Sequence, residues 1–349
     1  MAVQKIDIED FIVLAPNSIV IDVRSPGEFE HAHIVDAHSL PLFNNEERAI
    51  VGTTYKQKSR EAAIKIALPF FGEKMKPLIE MVETWVAAFE KKHTRETPTI
   101  IVHCWRGGMR SGAVAWLLDL YGFKVLQLIG GYKAYRNWAL LQFEKAYPLK
   151  VLGGYTGSGK TEILLELKRR NKTVIDLEGL AHHKGSSFGA LGQEAQPSQE
   201  MFENKLAHAL SSIEFIEEGI WIEDESQRIG LVMIPLSFFT LLRNSVCYFI
   251  EIPFQERLSF ITTGYGKFDK DSLMSATLRI QKRLGGLETK TAINHIIEGN
   301  IVDAFSILLK YYDKWYEKNT QNTTALPKLK VIRVQAEKVD PIVNASLLQ

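Results

Sequence analysis

The sequence predicts an α/β protein with two domains, each built around a parallel β-sheet. Short β-branched segments alternate with helical segments along the chain, and each half contains a glycine-rich loop between an apolar strand and a helix. The length of 349 residues suits two ordinary domains, and a hydrophobic fraction of 46% allows each domain to bury a core.

The first half contains three predicted strands, which span residues 18–25, 99–104 and 124–131. The spacing of apolar residues predicts helices over 77–93 and 111–123, and the second of these helices ends at Gly122. Because strands and helices alternate, we expect the strands to pair in parallel.

The second half begins after a predicted helix over 132–148, which ends at Pro148 and links the two domains. We expect the aromatic side chains of this helix to pack in the interior rather than to stack on bases. A strand, a loop and a helix follow over 149–170, and further strands are predicted at 173–179, 219–225, 246–253 and 329–336.

The composition excludes several classes of protein. Two cysteines, Cys104 and Cys247, are too few for a disulfide framework, and their spacing does not match a CxxC metal site. No apolar run reaches the ~18 residues that a membrane-spanning helix needs. The acidic N-terminus does not resemble a signal peptide, so we expect a cytoplasmic protein without a membrane partner. The net charge of +1 means that any nucleic-acid binding must come from local patches.

The strongest motif is the segment 154–161, GYTGSGKT, which fits GxxxxGK[ST] at every required position and lies between a strand and a helix. The glycines allow successive backbone amides to face one anion, and Lys160 adds a full positive charge. The segment therefore predicts a P-loop that binds a di- or triphosphate. Its expected phosphate-binding residues are Gly154, Gly157, Ser158, Gly159, Lys160 and Thr161.

A magnesium ion is the usual companion of a bound diphosphate, and the Thr161 hydroxyl is its expected first ligand. Carboxylates at the ends of other strands are the second kind of candidate. The candidates are Asp176, Glu223, Asp224 and Glu225, and each is equally compatible with an ordinary carboxylate at a strand end. Among these we select Asp224 and Glu225, which follow an apolar run. No base-reading motif accompanies the P-loop.

Cys104 lies where a predicted strand meets a loop that contains two arginines, Arg106 and Arg110. The dipole of the following helix and both guanidinium groups favour a thiolate, which is the nucleophilic form of cysteine. Cys247 has apolar neighbours in the middle of a predicted strand and is expected to be inert. We therefore predict Cys104, Arg106 and Arg110 as catalytic residues.

Three segments of the first half resemble a rhodanese-like domain: IDVRSPGEFEHAHIVDAHSLPL at 21–42, VHCWRGGMRSG at 102–112 and LIGGYKAYRNW at 128–138. The resemblance implies such a domain over residues 1–140, the helical linker over 132–148 and a P-loop NTPase-like domain over 149–340. In that family the cysteine carries sulfur as a persulfide. His31, His33 and His38 could suggest a metal site, but the resemblance makes His33 a structural residue.

The cysteine loop departs from common sulfurtransferases in its length. Five residues separate Cys104 from Arg110, one more than usual, as in rhodanese-like dual-specificity phosphatases. The longer ring of amides leaves room for a tetrahedral oxyanion. This spacing is compatible with a phosphatase and equally with a donor in which a phosphate carries sulfur or selenium.

The ordered pair of a rhodanese-like domain and a P-loop domain resembles the tRNA 2-selenouridine synthase family over essentially the full chain, including the segment 282–293. The resemblance implies conversion of wobble 2-thiouridine, in tRNAs that read Lys, Glu and Gln codons, to 2-selenouridine. It implies two co-substrates, geranyl diphosphate for S-geranylation and selenophosphate for selenium transfer. We expect the P-loop to serve the first step and a selenated Cys104 the second. Contact with the enzyme that makes selenophosphate is a further expectation.

A tRNA substrate requires basic surface. The candidates form three groups, although a basic helix face is often simply solvated. They are Lys133 and Arg136; Lys168, Arg169, Arg170 and Lys172; and Arg279, Lys282 and Arg283. Trp105 is a candidate partner for a flipped base. The apolar segment 229–242 is rich enough in apolar residues to line a groove for the geranyl chain, but a role as ordinary core is favoured.

The sequence leaves two alternatives open. One is a sulfurtransferase or cysteine phosphatase fused to a P-loop kinase or NTPase that acts on small molecules. The other is a non-catalytic rhodanese-like module that binds partners, which the presence of Cys104 disfavours.

Overall fold

The fold is described from a computed structural model, in which residues 3–93, 97–213, 218–321 and 330–348 are placed well enough to describe. The chain divides into two compact units, Met1–Leu141 and Gln142–Gln349. Both are α/β, as the sequence predicts. No helix in the described ranges is long and apolar enough to cross a membrane.

The first unit is a five-stranded sheet in which all strands run parallel, in the order β1-β5-β4-β2-β3. Its strands are β1 (Gln4–Ile6), β2 (Ser18–Asp22), β3 (His38–Ser39), β4 (Thr99–His103) and β5 (Val125–Leu128). Its helices are α1 (Ile8–Leu14), α2 (Pro26–His31), α3 (Asn45–Gln57), α4 (Arg60–Lys92), α5 (Met109–Tyr121) and α6 (Gly131–Gln142). The isoleucine and valine residues of β2, β4 and β5 are buried, which is typical of a parallel sheet covered on both faces.

The helix α4 begins earlier than the predicted range 77–93 and is 33 residues long, about 50 Å. Proline normally marks a helix boundary, because it lacks an amide donor and clashes with the preceding turn, yet Pro69 and Pro77 both lie inside α4. Apolar residues of its first half, among them Phe70 and Met75, pack against the core of the unit. This packing outweighs the local cost of the two prolines.

The helix predicted over 132–148 is shorter, because α6 ends at Gln142. The Tyr147 hydroxyl donates to the Gln142 carbonyl at 3.1 Å, so the chain turns here instead of continuing the helix. Tyr132 and Tyr135 are buried, which confirms that these aromatic side chains pack in the interior.

The second unit has a parallel five-stranded sheet in the order β12-β11-β6-β8-β7 and a two-stranded antiparallel pair, β9 with β10. Its strands are β6 (Leu149–Gly154), β7 (Val174–Ile175), β8 (Ile220–Glu223), β9 (Arg228–Ile229), β10 (Val232–Met233), β11 (Val246–Glu251) and β12 (Val331–Gln335). Its helices are α7 (Lys160–Arg169), α8 (Leu177–Ala181), α9 (Gln199–Ser211), α10 (Leu236–Asn244), α11 (Phe254–Tyr265), α12 (Lys270–Arg279), α13 (Gln281–Leu284), α14 (Gly286–Glu298), α15 (Ile301–Gln321) and α16 (Pro341–Ser346). Residue 329, in the predicted final strand, lies outside the described residues.

The central strand β6 ends at Gly154, and its neighbour β8 ends at Glu223 in register with Leu152. The carboxyl ends of parallel strands meet at one edge of a sheet, which is the usual ligand-binding edge in open α/β folds. The predicted P-loop and the residues after β8 therefore lie at the same edge.

Candidate active site

The Cys104 loop, residues 104–108, joins β4 to α5 and is anchored to the start of α6. The amide of Tyr132 donates to the Cys104 carbonyl at 2.8 Å, and the amide of Lys133 donates to the Trp105 carbonyl at 3.0 Å. Gly131 has φ +56°, and a Cβ at this position would lie 2.3 Å from the Cys104 carbonyl oxygen. Only glycine combines a positive φ with the absence of a Cβ. Gly131, which lies outside the Cys104 loop, therefore allows α6 to pack closely against the loop.

We expect a Gly131→Ala variant to lose about 2–4 kcal/mol of unfolding free energy, because left-handed backbone strain adds to the clash with the Cys104 carbonyl. Thermal unfolding measures this loss. Gly107→Ala is the matched control, since a Cβ there meets nothing within 4 Å. Equal melting temperatures for the two variants would contradict the role of Gly131.

The thiol of Cys104 is nearly enclosed, with 4% of the residue exposed. The Ser111 hydroxyl donates to Cys104 Sγ at 3.4 Å. Gln127 Nε2 in turn donates to Ser111 Oγ at 2.8 Å and to the Gly108 carbonyl at 2.9 Å. Ser111 and Gln127 thus orient the sulfur and hold the end of the loop, roles that the sequence analysis did not assign to them.

The two predicted catalytic arginines differ in their surroundings. Arg106 is exposed on the loop. Arg110 makes a two-pronged contact with Glu28, from Nη1 to Oε2 at 2.7 Å and from Nη2 to Oε1 at 3.3 Å. Arg48 Nε lies 3.5 Å from the same Oε2 atom. Glu28 therefore positions Arg110 beside the loop, a role that was not predicted from the sequence.

Burial alone would raise the pKa of the Glu28 carboxyl, but the hydrogen bond and charge of Arg110 lower it to about 2. A lowered folded-state pKa means that the carboxylate stabilises the fold above pH 4.5, its ordinary value, and that this contribution is lost as the pH falls toward 2. We expect Glu28→Gln to lose about 1–2 kcal/mol at neutral pH, allowing for solvent screening, and to flatten the stability profile between these pH values. Urea unfolding at a series of pH values measures both effects, and an unchanged profile would contradict the pairing.

The three histidines near α2 do not form a metal site. His33 Nδ1 lies 2.8 Å from the Phe29 carbonyl oxygen and its ring stacks on Phe29, which confirms the structural role predicted for it. His38 stacks on Trp85. Throughout the described ranges, no group of three His, Cys, Asp or Glu side chains is arranged to hold a metal ion.

The P-loop of the second unit connects β6 to α7, as predicted. Gly157 and Gly159 have φ values of +83° and +70°, and a Cβ at either would lie within 2.7 Å of an apolar side chain. Lys160 begins α7, and its Nζ donates to the Gly154 carbonyl at 3.1 Å, across the loop. Ser158 is buried within the loop. The backbone and the ammonium group are therefore arranged around one concave loop at a helix N-terminus.

The acidic residues beside the P-loop differ in part from the predicted set. The Thr161 hydroxyl donates to Glu178 Oε2 at 2.9 Å, and the Glu178 and Glu225 side chains share a hydrogen bond. Burial raises the pKa of both carboxyls, and the negative charge of Glu178 further raises that of Glu225. Asp224 instead accepts a hydrogen bond from Arg243. The structure thus brings Thr161 and Glu225 together with Glu178, a residue that sequence reasoning missed.

Cys247 is the second residue of β11, with 2% of its surface exposed. Burial raises the pKa of its thiol to about 12. This environment matches the inert structural role predicted for it.

The basic groups predicted for tRNA occupy different settings. Lys168 and Arg169 are exposed on α7, whereas Arg170 donates to Ser346 Oγ at 2.8 Å and to the Ile342 carbonyl at 2.7 Å, which ties α7 to α16. Lys172 pairs with Glu218 at 2.6 Å. Lys133 is exposed and Arg136 half-buried on α6, while Arg279, Lys282 and Arg283 are exposed around the end of α12.

The apolar segment 229–242 divides between core and surface. Half of its ten large apolar side chains are buried, namely Ile229, Val232, Ile234, Phe238 and Leu242. Phe239 and Leu241 are partly buried, and Leu231, Met233 and Leu236 are exposed. The buried half of this segment is ordinary core.

Family comparisons match both units. Residues 10–137 match the rhodanese-like domain, and residues 147–344 match the tRNA 2-selenouridine synthase AAA domain. A tRNA 2-selenouridine synthase from Hydrogenovibrio crunogenus is 34% identical and covers 88% of this chain and 91% of its own. The enzyme of that name from Sulfurovum sp. is 33% identical over 87% and 89% of the two chains. The one from Nitrosomonas europaea is 38% identical over 74% and 67%.

Proposed function

The chain belongs to the tRNA 2-selenouridine synthase family, and from this premise we propose that it is a transferase that replaces the sulfur of a wobble 2-thiouridine by selenium. The substrates are tRNAs for Lys, Glu and Gln. The exchange proceeds in two steps, S-geranylation with geranyl diphosphate and then selenium transfer from selenophosphate. The P-loop and the Cys104 loop support this division, because both are glycine-containing loops that lead from a strand into a helix and they carry different reactive groups, a lysine and a cysteine.

In the first step the thiocarbonyl sulfur attacks C1 of geranyl diphosphate, a C–S bond forms, and the C–O bond to diphosphate breaks. The proton on N3 of the thiouridine leaves with a base. The developing charge on the diphosphate is stabilised by the amides of Gly157 and Gly159 and by Lys160. Geranylation converts the sulfur on C2 of the uridine from a poor leaving group into a good one, because an alkylated sulfur departs as a thiol.

A magnesium ion fits the donor set beside the P-loop. Mg²⁺ prefers hard oxygen ligands and is usually bound by one or two carboxylates together with substrate phosphates. The Thr161 hydroxyl and the Glu178 carboxylate are such donors and already contact each other, with Glu225 adjacent. An ion held there would neutralise charge on the departing diphosphate.

In the second step the selenium of selenophosphate adds to C2 of the geranylated base, the C2–S bond breaks, and the sulfur leaves with a proton as geranylthiol. Transfer of the phosphoryl group from selenium to a nucleophile then breaks the P–Se bond and leaves the 2-seleno group on the base. Selenium has the same oxidation level in the donor and in the product, so the exchange needs no oxidant or reductant. The buried Cys104 thiol, with Arg106 and Arg110 on its rim, is the nucleophile available for this step.

The electron balance decides how Cys104 acts. Selenium bound to Cys104 through an S–Se bond, the form expected from the sequence, would need two electrons from a reductant before release. Attack of the Cys104 thiolate on phosphorus instead breaks the P–Se bond, leaves selenium on the base, and transfers the phosphoryl group to sulfur, from which water removes it. We therefore favour a phosphorylated over a selenated Cys104, and phosphorus-labelled and selenium-labelled donors distinguish the two.

Mass analysis of nucleosides from tRNA tests the proposed function. We expect S-geranyl-2-thiouridine with geranyl diphosphate alone, no change with selenophosphate alone, and 2-selenouridine with both. Modification of small thiols or phosphates without any change in tRNA would favour the alternative of a small-molecule sulfurtransferase or phosphatase.

A further inference from the structure

The segment that joins α3 to α4, residues 55–60 with sequence YKQKSR, is a basic segment that no part of the proposed chemistry uses. It comprises the end of α3, residues 58–59 and the first residue of α4. Lys56, Lys58 and Arg60 are exposed cations, and the segment contains no acidic residue. Tyr55 is 48% exposed. We call these six residues the basic turn.

The fold places the basic turn beside the Cys104 loop. Arg60 Nε donates to Met109 Sδ at 3.5 Å, and Met109 is the first residue of α5, directly after the loop. The other end of α3 is tied to α2, because Asn45 Oδ1 accepts from the Gly27 amide at 2.9 Å. The position of the basic turn is thus fixed by contacts at the start of α3 and at the start of α4.

The charges on this rim are far from balanced. Arg106 lies on the loop, Arg110 follows it, and Arg60 contacts Met109. Arg48 shares the Glu28 carboxylate with Arg110. The guanidinium of Arg24 also lies over the Trp105 ring, but the Asp22 carboxylate neutralises it. Glu28 compensates one charge while contacting two of the arginines. The Glu61 carboxylate accepts hydrogen bonds from Ser59 and from its own backbone amide, and it partly compensates the charge of Arg60. Among described residues, Lys56, Lys58 and Arg106 make no ion pair, so the rim presents excess positive charge.

We propose that the basic turn binds the phosphodiester backbone of the RNA substrate next to the reacting uridine; this rests on the proposed function. The cations are exposed and spread over the turn, an arrangement that suits a polyanion passing over the surface better than a small enclosed anion. Tyr55 and Trp105, the latter 46% exposed, present rings on which unpaired bases can stack.

The test compares two triple variants that remove the same charge. Lys56→Ala/Lys58→Ala/Arg60→Ala removes the basic turn, and Lys76→Ala/Lys91→Ala/Lys92→Ala removes exposed cations farther along α4. Affinity for tRNA is measured as a function of salt concentration. We expect the first variant to bind roughly 10- to 100-fold more weakly near physiological salt and its log–log salt slope to fall by about 2 to 3, because phosphate contacts release counterions. The second variant should match the wild-type protein.

The outcomes separate this inference from the proposed function. If the wild-type protein neither binds nor modifies tRNA, the proposed function fails and the inference with it. If it binds and modifies tRNA while the basic-turn variant keeps the wild-type salt slope, the inference alone fails. A raised KM for selenophosphate with unchanged tRNA binding would show a small-anion site, which also overturns it. Circular dichroism and thermal unfolding verify that both variants are folded.

Discussion

Replacing Cys104 by alanine is expected to abolish selenium incorporation into tRNA while S-geranylation continues. In the proposed mechanism Cys104, which is buried after β4, is the nucleophile, and loss of a nucleophile typically lowers a rate by a thousandfold or more. The P-loop belongs to the other compact unit and keeps all its residues. Geranylated tRNA should therefore accumulate even when selenophosphate is present, as measured by mass analysis of nucleosides.

Cys247→Ala is the matched control, because it removes the other cysteine of the chain from a buried, inert position. It should lose about 1–2 kcal/mol of stability from the small cavity and retain both reactions. Selenation at the wild-type rate by the Cys104→Ala variant would remove Cys104 from the mechanism, and loss of both reactions would contradict the division between the two loops.

Replacing Lys160 by alanine is expected to have the opposite effect, a loss of geranylation. Lys160 is the first residue of α7, and its ammonium group reaches across the P-loop to the Gly154 carbonyl at hydrogen-bond distance. Removing one group that stabilises developing anionic charge typically lowers a rate roughly 10²–10³-fold. The rate of S-geranylation under saturating tRNA measures this effect, and selenation of tRNA supplied already geranylated should remain.

Lys290→Ala is the control for this change, because it also removes one lysine but lies outside the P-loop, on α14. The Lys290 side chain is exposed and makes no ion pair with described residues. It should geranylate at the wild-type rate. A Lys160→Ala variant that geranylates normally would mean that the diphosphate is bound elsewhere.

The sequence predicted both loops because each depends on local information. The P-loop motif carries its strand, glycines, lysine and helix within twenty or so residues, and the structure places them as β6, the loop and α7. The Cys104 loop is equally local, between β4 and α5. The parallel sheets followed from the alternation of strands and helices.

The residues that sequence reasoning missed are supplied by distant segments. Glu28 reaches Arg110 across 82 positions, and Glu178 reaches Thr161 across 17. Such pairs depend on which strands become neighbours, which no local spacing encodes. The first half of α4 was missed for a different reason, because its prolines mark a boundary locally and only tertiary packing shows that the helix continues.

Complementation between the two inactive variants tests the central claim most directly. Substrate tRNA is first incubated with the Cys104→Ala variant and geranyl diphosphate, purified, and then given to the Lys160→Ala variant with selenophosphate. If the two loops carry separate and successive steps, the second incubation yields 2-selenouridine. Each variant by itself should produce none from tRNA that contains 2-thiouridine, even with both co-substrates. Absence of 2-selenouridine, when the wild-type protein converts the same geranylated tRNA, would contradict the assignment of one step to each loop.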